Sequence, residues 1–335
     1  MPKTQFLAAL AATVLGVSAA AAQEVNVYSS RHYDTDDAFF AAFTDATGIA
    51  VNRIEDDADV LIERIRSEGE LGAADVFITV DVGRLARADD ADIFQPLDMP
   101  VVEEKVPANL RTDDWTAFSS RARIIFFDKN DVTEPPATYD DLADPKYKGK
   151  VCTRSSSNVY MQSLLASIIV NEGEDAARAW AEGVKENLAR DPSGGDTDQL
   201  RGLVSGECDI ALSNHYYFAR GLAGEVSGLT EGIDGIGIVW PNQETSGTHV
   251  NISGIGIVKN APNPESARAL VEFTLTPEAQ KLLADGNNEF PVIEGIEPSD
   301  AAKTMGTFTA DTVDLGEVAA ASNAAQMIYN EVGYK

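Results

Sequence analysis

Along the first third of the chain, short apolar runs alternate with amphipathic stretches. Val25-Asn-Val-Tyr28 reads as a strand, with Tyr28 as a packing residue inside it. Asp36 to Thr47 places Phe39, Phe40 and Phe43 on one helical face, and Gly48 is suited to stop that helix. Ile49 to Ile54 predicts the next strand, and a helix over roughly 57–68 carries Val60, Leu61 and Ile65 ahead of Gly69. Ala74 to Thr79 predicts a third strand, followed by a helix that contains Leu85. Strand–helix alternation at this spacing predicts parallel βαβ units in an open α/β sheet. Ligands of such sheets bind beyond the carboxyl ends of the strands, and Arg31-His-Tyr33 stands directly after the first one.

Further on, Arg123 to Asp128 is a strongly apolar strand that runs into the turn-rich Lys129-Asn-Asp-Val-Thr-Glu-Pro-Pro136. A second α/β block extends from Val151 to about Trp240. It has strands at 151–154 and 208–213 and helices near 160–171, 173–190 and 197–205. Ser253 to Val258 reads as one more strand, followed by helices from Glu265 to Leu275 and from Pro277 to Asp285. A strand that returns to the first block makes the domains discontinuous, with two crossovers acting as a hinge. The expected architecture is therefore α/β, two-lobed, with a hinge between two open α/β sheets. Residues 23–125 plus 255–310 form the first lobe, 126–254 the second, and 311–335 a tail. Within that tail, Val313 to Val332 reads as one packed helix.

The amino terminus reads Met-Pro-Lys3, then an apolar run from Phe6 to Val17, then Ala19 to Ala22 in an A-x-A pattern. This is the form of a secretory signal peptide spanning residues 1–22. No later stretch is long and apolar enough to predict a membrane span. The net charge of −28 becomes −29 when Lys3 leaves with the leader. A field of that sign repels nucleic acid and anionic lipid and attracts cations, although solubility alone accounts for most of it. About 313 residues after the leader exceed what one core usually holds, in keeping with two lobes. In an exported chain Cys152 and Cys208 can pair, a geometry that sequence leaves open. Two thiols are too few for a cysteine-built zinc or iron–sulfur site. There is no G-x-S-x-G elbow, P-loop or H-E-x-x-H motif, and three histidines offer little general base, so an enzyme is not expected.

The chemistry concentrates instead on tyrosine. Tyr216 and Tyr217 follow a strand end in Asp209-Ile-Ala-Leu-Ser-Asn-His-Tyr-Tyr217, with distant counterparts in Arg31-His-Tyr33 and Ser155-Ser-Ser-Asn-Val-Tyr160. Phenolate is an anionic oxygen donor suited to a hard trivalent cation, above all Fe(III). On their own, Tyr216 and Tyr217 read as a packing pair at a strand–helix junction sooner than as a metal site, and the hydroxyls before Tyr160 as a helix cap or an anion cradle. Tyr139 and Tyr147 read as surface or hinge residues, Tyr329 and Tyr334 as structural, His215 as surface or close behind the ligands, and His249 as structural. The acidic runs Asp34–Asp37 and Asp56–Asp59 lack EF-hand spacing and read as caps and solvated faces.

Tyr139-Asp-Asp-Leu-Ala-Asp-Pro-Lys-Tyr-Lys-Gly-Lys-Val151 resembles the run that opens the second lobe in periplasmic binding proteins of ABC importers. Asn260-Ala-Pro-Asn-Pro-Glu-Ser-Ala, Thr276-Pro-Glu-Ala-Gln280 and Asn287-Asn-Glu-Phe-Pro291 resemble their closing segment. Within that superfamily, Tyr28-Ser-Ser-Arg-His-Tyr33 and Asn214-His-Tyr-Tyr217 resemble the ferric-iron-binding proteins. The resemblance implies a two-lobed periplasmic binding protein fold and a monomer in the periplasm. It implies capture of Fe(III), with Fe(II) as the alternative state, without an organic cofactor, and delivery of the iron ion to ABC permease membrane subunits. It implies Tyr33, Tyr160, Tyr216 and Tyr217 as ligands, with His32 as a ligand in some members. The arginine side chains expected behind them are Arg123 first and Arg31 second, since strand alternation sets Arg121 and Arg123 on one face. Tyr33 is expected to approach from one lobe and the other three mainly from the other. A competing reading within transport is an organic cation such as a polyamine or thiamine, held by aromatic walls and carboxylates.

Overall fold

The computed structural model describes residues 23–31 and 33–335; the leader and His32 lie outside the described residues. Eight strands, β1 (Glu24–Ser29), β2 (Ala50–Glu55), β3 (Val76–Val80), β4 (Trp115–Asp128), β5 (Val151–Cys152), β6 (Ile210–Asn214), β7 (Ile236–Val239) and β8 (Val250–Ile257), join in one hydrogen-bonded path. The order is β2-β1-β3-β8-β4-β6-β5, with β7 pairing β4 beside β6. β1 is parallel to β2 and β3, and β5 is parallel to β6, as the βαβ spacing predicts. β8 runs antiparallel to both β3 and β4, so it is the return strand.

β4 is the element that relates the two halves. Its residues Trp115–Ala122 pair with β8, whereas Arg123–Asp128 pair with β6 and β7. The period-two alternation is explicit in its packing. Ala122, Ile124 and Phe126 join a cluster with Phe218, Leu229 and Ile233, while Ile125 faces the larger core with Leu212 and Met161. Arg121 and Arg123 share the face of Ile125, and the Arg123 guanidinium reaches the Met161 sulfur at 3.5 Å. The strand begins eight residues earlier than its most apolar segment because Trp115, Ala117 and Phe118 are also core residues.

Helices fill the connections, and the left-handed backbone at Gly48 (φ 73°) ends the helix Asp36–Thr47 where the sequence places the stop. Cys152 and Cys208 form a disulfide that clamps β5 to the approach of β6. Some expectations are corrected. Val60 is 50% exposed, and Ile62 takes its place beside Leu61 and Ile65. The tail forms two helices, Leu315–Ala320 and Ser322–Val332, because the chain breaks at Ala321. Tyr139 and Tyr147 are buried rather than superficial, and their hydroxyls donate to the Arg123 and Glu134 carbonyls at 2.6 and 2.7 Å. Asp36 is buried in an ion pair with Arg31, not part of a solvated face.

Candidate metal centre

Three short strand-to-helix connections carry the tyrosines. Tyr33 lies in the loop between β1 and the helix Asp36–Thr47, and its carbonyl accepts from the Asp36 amide at 2.9 Å. Tyr160 is the second residue of the helix Val159–Glu172, whose cap Asn158 accepts from the Tyr160 amide at 3.1 Å. Tyr216 and Tyr217 occupy the first turn of the helix His215–Leu222, which follows β6 without a loop. Helical side chains lean toward the amino end, so these three rings project from the positive ends of two helices. Negative charge on a phenol is favoured there.

The sequence-distant rings converge. The Tyr33 and Tyr216 hydroxyls are 3.4 Å apart, and the Tyr216 and Tyr217 rings pack at a 31° tilt with centroids 4.2 Å apart. Tyr33 packs against a small cluster of Val80, Val159 and Tyr160. Tyr33, Tyr216 and Tyr217 open onto a cavity of about 550 Å³ that Asp34, Arg220 and Glu225 also line. Among the described residues no group of three or more His, Cys, Asp or Glu is arranged to hold a metal.

Burial raises the Tyr33 phenol well above its usual range, Tyr160 and Glu289 raise it further, and Arg121 and Arg31 oppose them. Burial also raises Tyr216, with Tyr160, Tyr217 and Tyr33 adding to the effect. Tyr217 follows the same pattern, with burial first, then Tyr160 and Tyr33. Tyr33, Tyr216 and Tyr217 are therefore neutral at physiological pH. A strongly charged cation reverses that preference and displaces their protons.

Behind the rings stand two ion-pair networks. On the Tyr33 side, Arg31 lies 4.9 Å from the Tyr33 ring centroid and pairs with Asp36 at 2.9 Å and Glu289 at 3.0 Å. Arg121 pairs with the same Glu289 at 3.2 Å, and Ser119 donates to it at 3.0 Å. Burial alone would raise the Glu289 carboxyl, but Arg31 and Arg121 outweigh it and hold the group below its ordinary value. On the other side, Arg123 and Arg154 share Asp196 at 2.7 and 3.1 Å, with guanidiniums 5.9 and 5.4 Å from the Tyr160 ring centroid. These pairs set four guanidiniums against three carboxylates, one positive charge in surplus. Asp81, near Arg121, accepts from Ser163, Gly83 and Asn251, and burial pushes its carboxyl up toward the neutral form.

Of the residues expected from sequence, Tyr33, Tyr160, Tyr216, Tyr217, Arg31 and Arg123 gather in this region, and His32 lies outside the described residues. The sequence reading passed over Arg121 in favour of Arg123. Yet Arg121 is the guanidinium whose charge acts on Tyr160, Tyr216 and Tyr33 together, and its Nε and Nη1 have no hydrogen-bond partner among the described residues. Glu289, Asp196 and Arg154 were also missed. The signal for Glu289 was present, in Asn287-Asn-Glu-Phe-Pro291, but only as a family mark. His215 is fully buried, not superficial. Its Nδ1 accepts from the Ala122 amide at 3.2 Å, so Nε2 carries the proton and donates to the Asn288 carbonyl at 2.8 Å.

The site thus lies on an α/β frame in which one eight-stranded sheet carries the buried tyrosines and arginines at its strand-to-helix connections. The chain belongs to the bacterial extracellular solute-binding protein family, whose sequence pattern matches residues 72–307. It is 47% identical over 316 residues to iron uptake protein A1 of Synechocystis sp., covering 93% of this chain and 88% of that protein. It is 29% identical over 301 residues to the major ferric iron-binding protein of Neisseria meningitidis, with 87% of each covered. Among solved structures, a Trichodesmium protein in complex with iron and citrate ligands superposes with a TM-score of 0.89. The two are 46% identical, with 93% of this chain and 100% of that one covered. A ferric binding protein from Campylobacter jejuni superposes at 0.87, with 40% identity and 93% and 100% coverage. The fold is thus the two-lobed α/β architecture of those binding proteins.

Proposed function

We propose that this protein captures ferric iron in its interlobe cleft through the phenolates of Tyr33, Tyr160, Tyr216 and Tyr217 and delivers it to an ABC permease. The observation that carries the reading is the convergence of phenols from separate stretches, with Tyr33 and Tyr216 hydroxyls 3.4 Å apart. Their setting supports it. Four phenolates on Fe(III) sum to −1, and the surplus positive charge of the surrounding ion pairs offsets that, where an uncompensated buried charge is costly. His32 adjoins Tyr33 and is the candidate fifth ligand. The relatives and structural neighbours named for iron uptake or ferric binding point the same way.

In this reading the protein is a monomer exported to the periplasm, with lobes over 23–125 plus 255–310 and over 126–254, and it catalyses no turnover. Phenolates hold Fe(III) more firmly than the softer, less charged Fe(II), so reduction or acid, with cleft opening, releases the cargo. An organic cation is the weaker alternative. Asp36, Asp196 and Glu289, buried carboxylates beside the rings, are each ion-paired to arginine. Titrating the apo-protein with ferric citrate tests the proposal by visible absorbance and calorimetry. A phenolate-to-iron charge-transfer band that saturates at one iron per chain and fades in acid is expected. A colourless protein that takes up no heat would overturn it, and a heat of binding with a polyamine or thiamine would install the alternative.

A further inference from the structure

The connection 153–158, between β5 and the helix that begins at Val159, carries Arg154 and leads directly into Tyr160. It belongs to no strand, so its backbone conformation depends on whatever satisfies its polar groups. The chain's last residues supply much of that. The Ser156 amide donates to the Lys335 carbonyl at 2.9 Å, and its hydroxyl donates to the Tyr334 carbonyl at 3.0 Å. The Tyr334 hydroxyl bonds the Thr153 hydroxyl. On the far side of Tyr160, the Tyr329 hydroxyl donates to the Met161 carbonyl at 3.1 Å. The Tyr329 and Tyr334 rings pack together with centroids 5.0 Å apart, both buried and neither lining the cleft.

We infer that Tyr334, braced by Tyr329, is a positioning residue that fixes Tyr160 and Arg154 for metal capture. The inference rests on the reading of Tyr160 as a ligand. Three attachment points, at Thr153, Ser156 and Met161, bracket Tyr160 on both sides. Loosening them frees the ring that ligates and the guanidinium 5.4 Å from its centroid at once. Outer partners that orient a ligand are typically worth about 10–100-fold in metal affinity.

The test is a double-mutant cycle read by ferric affinity in competition with citrate and by the charge-transfer band. Tyr334→Phe and Thr153→Val break the same hydrogen bond from opposite ends. Each is made in the natural sequence and in Tyr160→Phe, and apo-protein melting reports folding. Each variant is expected to weaken iron binding about tenfold and shift the band in the natural background. Once Tyr160 is gone, each should cost markedly less, only the part carried by Arg154. Equal losses in both backgrounds, or unchanged binding in the natural one, would show Tyr334 to be packing alone. A colourless natural protein would bring down the phenolate reading itself, whereas a coloured one with unaffected variants brings down only this inference. If Tyr334→Phe fails to fold, Thr153→Val decides.

Discussion

The two sides of the tyrosine cluster are built differently. Tyr160, Tyr216 and Tyr217 sit in the first turns of helices that leave β5 and β6, two strands joined by the Cys152–Cys208 disulfide. Tyr33 stands alone in a loop, close to two guanidiniums, Arg31 and Arg121, tied together by Glu289. Three phenolates neutralise Fe(III), and the fourth adds the negative charge that needs a counter-ion. The fourth ring is the one beside Arg31 and Arg121. Those two guanidiniums are already balanced by Asp36 and Glu289, so the surplus positive charge lies on the three-tyrosine side, where Arg123 and Arg154 share Asp196; in the proposed complex that side is the seat and the Tyr33 side closes over it.

The sharpest way to break this comparison is to remove ligands from each side in turn. If roughly 12 kcal/mol of metal binding is shared among four ligands, each contributes about 3 kcal/mol, on the order of a hundredfold in affinity. Tyr216→Phe with Tyr217→Phe should abolish the charge-transfer band and weaken iron binding about ten-thousandfold. Tyr33→Phe should leave a coloured complex with a shifted band, weaker by roughly a hundredfold. Loss of colour in Tyr33→Phe, or full colour in the double variant, would dissolve the distinction between seat and closing side.

A second substitution acts on the Tyr33 side alone. Glu289 is buried between Arg31 and Arg121 and also accepts from Ser119 and Ser253. Glu289→Gln leaves two buried guanidiniums with Asp36 as their nearest ion-paired carboxylate. Breaking a buried pair in this way costs about 3–5 kcal/mol of stability. Urea unfolding of the apo-protein should record that loss. The parallel change on the seat, Asp196→Asn, takes from Arg123 and Arg154 the one carboxylate they share and gives the internal comparison. A loss under about 1 kcal/mol for Glu289→Gln would mean that the network is solvated rather than buried.

Much of this was legible in the chain. Periodicity located the strands that bear the site, and alternation along β4 sets Arg121 and Arg123 on one face. The adjacent Tyr216 and Tyr217 and the Arg31-His-Tyr33 triplet pointed to the rings that converge. What sequence could not carry was pairing at a distance. Glu289 lies 258 residues from Arg31, and nothing local marks it as the carboxylate buried against two arginines. Arg123 does stand behind Tyr160, but Arg121, on the same face, was not singled out. Alternation gives a face but not the partners, and the two equally buried guanidiniums part there, Arg123 to Asp196 and Arg121 to Glu289. Tyr139 misled because its turn-rich surroundings signal exposure, whereas its hydroxyl is inserted where β4 meets the start of β8, accepting from the His249 amide at 3.0 Å.

That meeting point supplies the smallest expected effect, and it separates two consequences of acid. His249 is buried beside Arg123, its carbonyl accepts from the Arg123 amide at 3.1 Å, and burial, with Arg123 next, lowers its imidazole to about 3. In the unfolded chain it titrates near 6.5. Between those values the unfolded state binds a proton that the folded state refuses, so stability falls as pH falls through that window. At pH 5 the loss from this residue is about 2 kcal/mol relative to pH 7. Apo-protein urea curves at the two pH values should therefore converge by about that amount in His249→Asn compared with the natural sequence. Because both proteins keep His215, any contribution from that residue cancels. Iron release in acid, which reflects protons returning to phenols, should be the same in both proteins. If the substitution instead shifts the pH at which colour fades, acid discharges iron by loosening the β4–β8 crossing, and the phenols are not the first groups to respond.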